Sequence, residues 1–239
     1  MTSFLKSPAL LLAVALSAAC APVLADSGAG LYASGALGFN DLQTETITGV
    51  GAPFGPQPGG NTKTDNGGAG LLALGWNFGN GTRAELEASY RRNGFNHATA
   101  GAQKNADATG DEDKTTVFVN AYYDFPKLSF GVAPYVGVGA GHSKAKWSDM
   151  YITQGNEVVH FNDSVGSRAY QLILGATLLE NLVPGLSLTI EYRYLSTEGA
   201  THSGAVEKSR FGAFPVTAKI SSTRDQSLLA GLSYRFKGL

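Results

Sequence analysis

The chain has 239 residues, a formal net charge of −1 and a charged fraction of 15%. That balance gives no electrostatic footprint for nucleic acid and no polybasic attraction to an anionic surface. Glycine and aromatic residues are plentiful and there is one cysteine, which suits short strands and turns and leaves no cysteine framework for disulfides or zinc.

The chain opens with Lys6, an apolar run over residues 9–19 and a small-residue end at Val23-Leu24-Ala25. Residues 1–25 therefore read as a signal peptide and residues 26–239 as one β-barrel domain. Cys20 lies inside the leader. Lipoprotein processing at Cys20 is the alternative, but the position that should hold Leu is Ser17, with Leu16 one place early. No later apolar run is long enough for a membrane-spanning helix, so a mature chain embedded in lipid has to be a closed barrel.

Eight segments of period-two alternation follow. Residues 30–40 set Leu37 and Phe39 against Tyr32, Ser34 and Asn40. In 68–78, Leu72, Leu74, Trp76 and Phe78 share one face. Residues 82–95 alternate Ala84, Leu86, Ala88 and Tyr90 with Arg83, Glu85, Glu87, Ser89 and Arg91. Residues 115–125 alternate Val117, Val119, Ala121, Tyr123 and Phe125 with Phe118, Asn120, Tyr122 and Asp124. In 132–147, Val136, Val138 and Ala140 oppose Tyr135, Gly137, Gly139 and Gly141. Residues 167–179 place Tyr170, Leu172 and Leu174 opposite Gln171 and Ile173. Residues 186–196 place Ile190, Tyr192 and Tyr194 opposite Glu191 and Arg193. Residues 225–236 place Leu228, Leu232, Tyr234 and Phe236 opposite Ser227, Gly231 and Arg235.

The connections alternate in length. Those at 41–66, 96–114, 148–166 and 197–224 are long and polar, which reads as solvated, mobile loops; those at 79–81, 126–131 and 180–185 are short. Outer-membrane barrels have short periplasmic turns and longer outer loops. The expected fold is therefore all-β: an eight-stranded, antiparallel, up-and-down transmembrane barrel with both termini in the periplasm. Within the last loop, residues 211–220 read as an ordered hairpin; a strand extension above the membrane or a contact with a partner are the alternatives.

Two sets of residues follow from the faces. Arg83, Glu85, Glu87, Arg91, Asp124, Glu191, Arg193 and Arg235 fall on the lumen side, where a narrow barrel should hold them as a hydrogen-bonded ion-pair network and a polar plug. A narrow ion path stays open as an alternative. Phe39, Trp76, Phe78, Tyr123, Phe125, Tyr192, Tyr194 and Phe236 lie near segment ends on the outer face, as an aromatic girdle requires. The lumen glycines make room for larger neighbours.

Little in the sequence points to catalysis or to a cofactor. His97, His142, His160 and His202 show no metal-ligand spacing. His202 and Ser203 are adjacent, so on a strand they point to opposite faces. Gly137 to Gly141 lacks the helix that a nucleotide loop needs.

Residues 120–125 (NAYYDF), 134–141 (PYVGVGAG), 169–171 (AYQ), 188–194 (LTIEYRY) and 228–236 (LLAGLSYRF) resemble the outer-membrane β-barrel surface-antigen family, which is related to opacity-type adhesins and the outer membrane protein A barrel. The resemblance implies location in the outer membrane of a Gram-negative bacterium. It also implies contact with outer-membrane lipids and lipopolysaccharide, insertion by the barrel-assembly machinery, and a monomer without cofactor. Members usually end on an aromatic residue; here Lys237-Gly238-Leu239 follows Phe236. The implied role is surface interaction with host molecules, phage or other cells through the outer loops. A small-solute channel is the alternative and a lipid-modifying enzyme a third reading. Eight-stranded lipid A deacylases carry a His-x-Ser arrangement that this chain lacks.

Overall fold

A computed structural model describes residues 29–100 and 103–236. The expected signal peptide, Cys20 and the Lys237-Gly238-Leu239 overhang lie outside the described residues. The strands are β1 (Gly30–Leu42), β2 (Glu45–Gly51), β3 (Gly60–Thr64), β4 (Gly67–Asn77), β5 (Thr82–Ala100), β6 (Gln103–Asp124), β7 (Ala133–Gln154), β8 (Glu157–Val183), β9 (Leu186–Thr197), β10 (Thr201–Lys208), β11 (Phe214–Ile220) and β12 (Thr223–Arg235).

Among the described residues, twelve strands stand where eight were expected. The four long connections are not irregular loops. Their polar residues alternate with small and apolar ones, and that alternation pairs as sheet. Within the connections after β1 and β9 the chain forms β2, β3, β10 and β11, while the other two are absorbed into β5 to β8, which reach 19 to 27 residues. A tilted strand needs only about 9–11 residues to cross a bilayer, so β5 to β8 continue well beyond one.

Every pairing is antiparallel, and the pairings close two rings in succession. In the lower ring, which carries the short turns, the order is β1, β4, β5, β6, β7, β8, β9, β12 and back to β1. Above it, β5 to β8 run on, and β3, β2, β11 and β10 take the places of β4, β1, β12 and β9. Closure removes the unpaired strand edges that an open sheet would expose.

The junction is bent by register shifts. Between β6 and β7 the ladder slips at Thr109/Asp111, with Gly110 at φ 108° facing Asp149 at φ 46°. A Cβ on Gly110 would sit 2.5 Å from the Asp149 carbonyl oxygen, so the bulge requires glycine.

The two rings bury different things. In the lower ring the apolar residues face out: Leu37, Phe39, Leu72 and Val119 are all more than two-thirds exposed. In the upper ring they face in. Ile47, Phe95, Trp147, Met150, Phe161, Val206, Val216 and Ile220 belong to one buried cluster. The same strands thus switch from apolar-out to apolar-in partway along β5 to β8. That switch is what distinguishes a wall set in lipid from a wall set in water.

Candidate functional site: the filled interior and the outer cap

The lower interior is built by period-two alternation, which turns Glu85, Glu87, Asn120, Tyr122, Tyr135, Gln171 and Arg193 inward from five neighbouring strands. Arg193 is the hub. Its Nη1 donates to Glu87 Oε2 at 2.5 Å and its Nε to Glu191 Oε2 at 2.7 Å. Asn120 Nδ2 donates to the same Glu87 oxygen at 2.7 Å, and Gln171 Nε2 does so at 3.2 Å. Glu85 accepts from Tyr122 at 2.8 Å and Tyr32 at 3.0 Å. Nearer the short turns, Arg83 Nε donates to Asp124 at 2.8 Å, and its guanidinium lies 4.6 Å from the Tyr122 ring centre and 4.9 Å from that of Tyr135.

Glycines make this filling possible. A Cβ on Gly137 would sit 2.5 Å from the Tyr122 ring, and one on Gly139 would overlap Asn120.

Six of the eight predicted lumen residues meet in these contacts, and two do not. Arg91 is buried but bonds to Ser89 at 3.0 Å and Ser227 at 3.4 Å, without an ion pair among the described residues. Arg235 is exposed at the lower rim, with no ion pair among the described residues. It is the last residue of its strand, open to solvent.

A second buried charge cluster sits at the junction of the rings and was missed in the sequence. Lys114 Nζ lies 2.7 Å from Asp225 Oδ2 and 3.0 Å from Glu112 Oε1. Asp225 also accepts from Asn40 at 2.9 Å, and Asn40 joins Asn93 at 2.7 Å and Ser227 at 2.6 Å. Glu45 is buried beside them and accepts from Thr62 at 3.3 Å. The signal was present: residues 112, 114, 116, 118 and 120 share one face if the alternation of β6 is carried back into the supposed loop.

Burial raises the pKa of Glu45 well above the ordinary carboxyl value. The Glu112 carboxylate adds to the rise and Lys114 opposes it. A raised pKa means that the folded chain favours the neutral acid. Its stabilising contribution is full below the ordinary carboxyl pKa and is lost as pH climbs through the raised value. Glu45→Gln keeps the neutral shape, so it should flatten the fall in melting temperature of the wild type on the alkaline side. Thermal unfolding of both proteins in lipid across pH checks this, and parallel curves would refute it.

Above the cluster the cap closes. Trp147 stacks on His202 at 3.9 Å, meets Phe95 and Phe161 edge-on at 5.5 Å each, and donates from Nε1 to Glu112 at 3.0 Å. Burial lowers the pKa of His202, partly offset by Glu112 and Asp163. Ser203 points to the other face, as adjacent strand positions must.

The predicted girdle residues occupy outward positions at two levels. Trp76, Phe78, Tyr123, Phe125 and Phe236 lie near the short turns, with Tyr234 packed on Phe236 at 5.2 Å. Phe39, Tyr192 and Tyr194 lie near the ring junction, beside Tyr90 and Tyr170, which the sequence reading left out of the set. A third aromatic group stands apart at the far tip. Phe54, from the β2–β3 turn, packs on Phe214 at 4.7 Å and lies 6.0 Å from Phe211 of the β10–β11 turn, whose ring carries Arg210 at 4.6 Å. Phe54 and Phe211 are 62% and 65% exposed.

Comparisons place this architecture among known proteins. The family model described as outer membrane protein beta-barrel domain matches residues 11–236. An outer membrane protein of Gluconacetobacter diazotrophicus is 32% identical over 184 residues, covering 72% of this chain and 47% of that protein. The chain thus spans about half the length of that relative. An uncharacterized protein of Brucella abortus is 27% identical over 192 residues, covering 70% of this chain and 67% of its own. Among solved structures, the outer membrane protein OprG of Pseudomonas aeruginosa aligns with a TM-score of 0.54 at 13% identity, over 88% of this chain and 97% of that one. That likeness speaks for the fold alone.

Proposed function

The chain belongs to the outer membrane protein beta-barrel domain family and resides in the bacterial outer membrane, and from that premise we propose that it is a closed surface-interaction barrel whose outer cap meets its partner. In this reading the lower ring of eight strands spans the membrane, with the short turns in the periplasm, aromatic residues at both interfaces and the leader at 1–25 removed on export. The observation that carries it is the filling of the interior. A polar network occupies the lower ring, a charge cluster the junction and an apolar cluster the upper ring. This favours surface interaction over a small-solute channel.

The tip supplies the contact. From Tyr170 to the start of β8 is thirteen residues, which at strand rise and barrel tilt is about 30 Å. Phe54 and Phe211 are therefore too far from the bilayer to serve as interfacial anchors. Exposed aromatic rings beside an arginine have the composition of binding hot spots.

Protein in vesicles, tested on an array of host matrix proteins and glycans, should bind at least one. The Phe54→Ser/Phe211→Ser variant should weaken that binding roughly tenfold or more. Planar bilayers should show no stable, sizeable conductance steps. Such steps, with no binding on the array, would favour the channel.

A further inference from the structure

Where β8 changes partner, the wall has a gap. It pairs with β9 up to Ala169↔Thr197, and with β10 from Phe161↔Gly204 upward. Residues 162–167 have no ladder partner on that side. Two bonds frame the gap: Glu198 N–H to the Arg168 carbonyl at 2.9 Å, and Ser203 N–H to Asp163 Oδ2 at 2.8 Å. At the other junctions the chain stays bonded, through Asp65 N–H to Gly94 O, Gln43 N–H to Arg224 O and Ser221 N–H to Thr46 O, each at 2.9 Å.

Solvent reaches the interior here. Ala145, Val165 and Ser167 face inward like their neighbours Ser143, Trp147, Phe161 and Ala169, yet they are only half-buried where those four are buried. Behind them is a cavity of about 20 Å³ whose lining includes Glu45, Glu112, Glu198 and His202. A space of that size holds one water-sized occupant. His202 is 3% exposed, and its Nδ1 has no hydrogen-bond partner.

We propose that this gap is a lateral port through which small cations of ammonium size reach an acidic chamber formed by Glu45, Glu112 and His202. The carboxylates of Glu112, Asp225, Glu198 and Asp163 outnumber the cations at the port and chamber, Lys114 and Arg168, and Glu45 adds a neutral carboxyl to the wall. Lys114 is already held between Asp225 and Glu112, and Arg168 lies 3.9 Å from Glu198. Lys144 and Lys146 are exposed on the outer face of β7, directed away from the chamber. Carboxyl and hydroxyl oxygens with one imidazole nitrogen make a donor set for a hard cation. The apolar cluster closes the end of the cap, so the side is the way in.

The sole cysteine is Cys20, so with Cys20→Ser a single thiol can be placed at will. Ala200→Cys puts it on the chamber wall. In full-length protein in lipid vesicles, aminoethyl methanethiosulfonate should modify this thiol roughly tenfold faster than the sulfonatoethyl reagent, after correction for their rates with a free thiol. Ammonium chloride should slow the reaction more than N-methylglucamine chloride at equal ionic strength. Glu198→Gln, which removes a carboxylate from the lining, should shrink the charge preference. A thiol at Ala218, in the fully buried cap core, should stay unreactive. Equal corrected rates, no reaction at position 200, no ammonium effect, or equal reaction at 218 would each overturn the port. Should Ala200→Cys fail to fold, Val165→Cys repeats the test from the opposite side.

Discussion

Arg193→Met lowers the stability of the barrel by about 3–5 kcal/mol, the usual cost of breaking a buried ion pair by removing one partner. Arg193 is 1% exposed and joins Glu87 and Glu191, which lie on strands far apart in sequence. Methionine fills similar volume, so packing is nearly kept. What is lost is the cation facing a fully buried Glu87 carboxylate, which Asn120 and Gln171 alone then support. Adding Glu87→Gln removes the stranded charge and should return most of the loss, because a pair replaced by neutral groups of similar shape is often nearly neutral. Urea unfolding in lipid vesicles measures both variants. A single-variant loss below about 1 kcal/mol would mean that water already reaches Glu87.

Trp147→Ala costs a similar amount, about 3–5 kcal/mol, but in a different place. Trp147 is 1% exposed, stacks on His202, touches Phe95 and Phe161, and holds Glu112 through its indole N–H. Truncation opens a cavity in the centre of the cap and takes one hydrogen bond from the buried Glu112 carboxylate, leaving it to Lys114 alone. The lower network shares none of these residues, so the two parts should respond separately. Protease added to intact cells should cut the β2–β3 and β10–β11 hairpins much faster in the variant. The short turn at residues 79–81 should remain protected. Unchanged cap cleavage would show that Trp147 is not its centre, and loss of the folded barrel altogether would show that cap and wall form one unit.

What could be read in the sequence was the wall; what could not was the cap. Alternation at residues 83–91 and 188–194 put Arg83, Glu85, Glu87, Glu191 and Arg193 on the inner face, because period two fixes a face without knowing the neighbours. Partners are another matter. Arg91 shares a face with Glu87, but whether it meets a carboxylate depends on strands more than a hundred residues away, and there it meets Ser227. Glu45, Glu112 and Lys114 looked like loop residues because charges are usually solvated. Their burial follows only when Lys114 and Asp225, 111 residues apart, come together. The hairpin expected near residues 211–220 was legible because Phe214, Val216, Ala218 and Ile220 alternate there as β11.

The sharing of β5 to β8 by both rings bears on how this chain tolerates changes of length. One residue inserted near the middle of β7 would turn over every side chain beyond it, in lipid or in the cap, since a single-residue slip exchanges the faces of a strand. The same insertion in the β2–β3 or β10–β11 turn touches neither the wall nor the charge cluster. Length can therefore drift at such turns and not within β5 to β8. Descendants of this sequence should differ most at residues 52–59 and 209–213, the turns that carry Phe54 and Phe211.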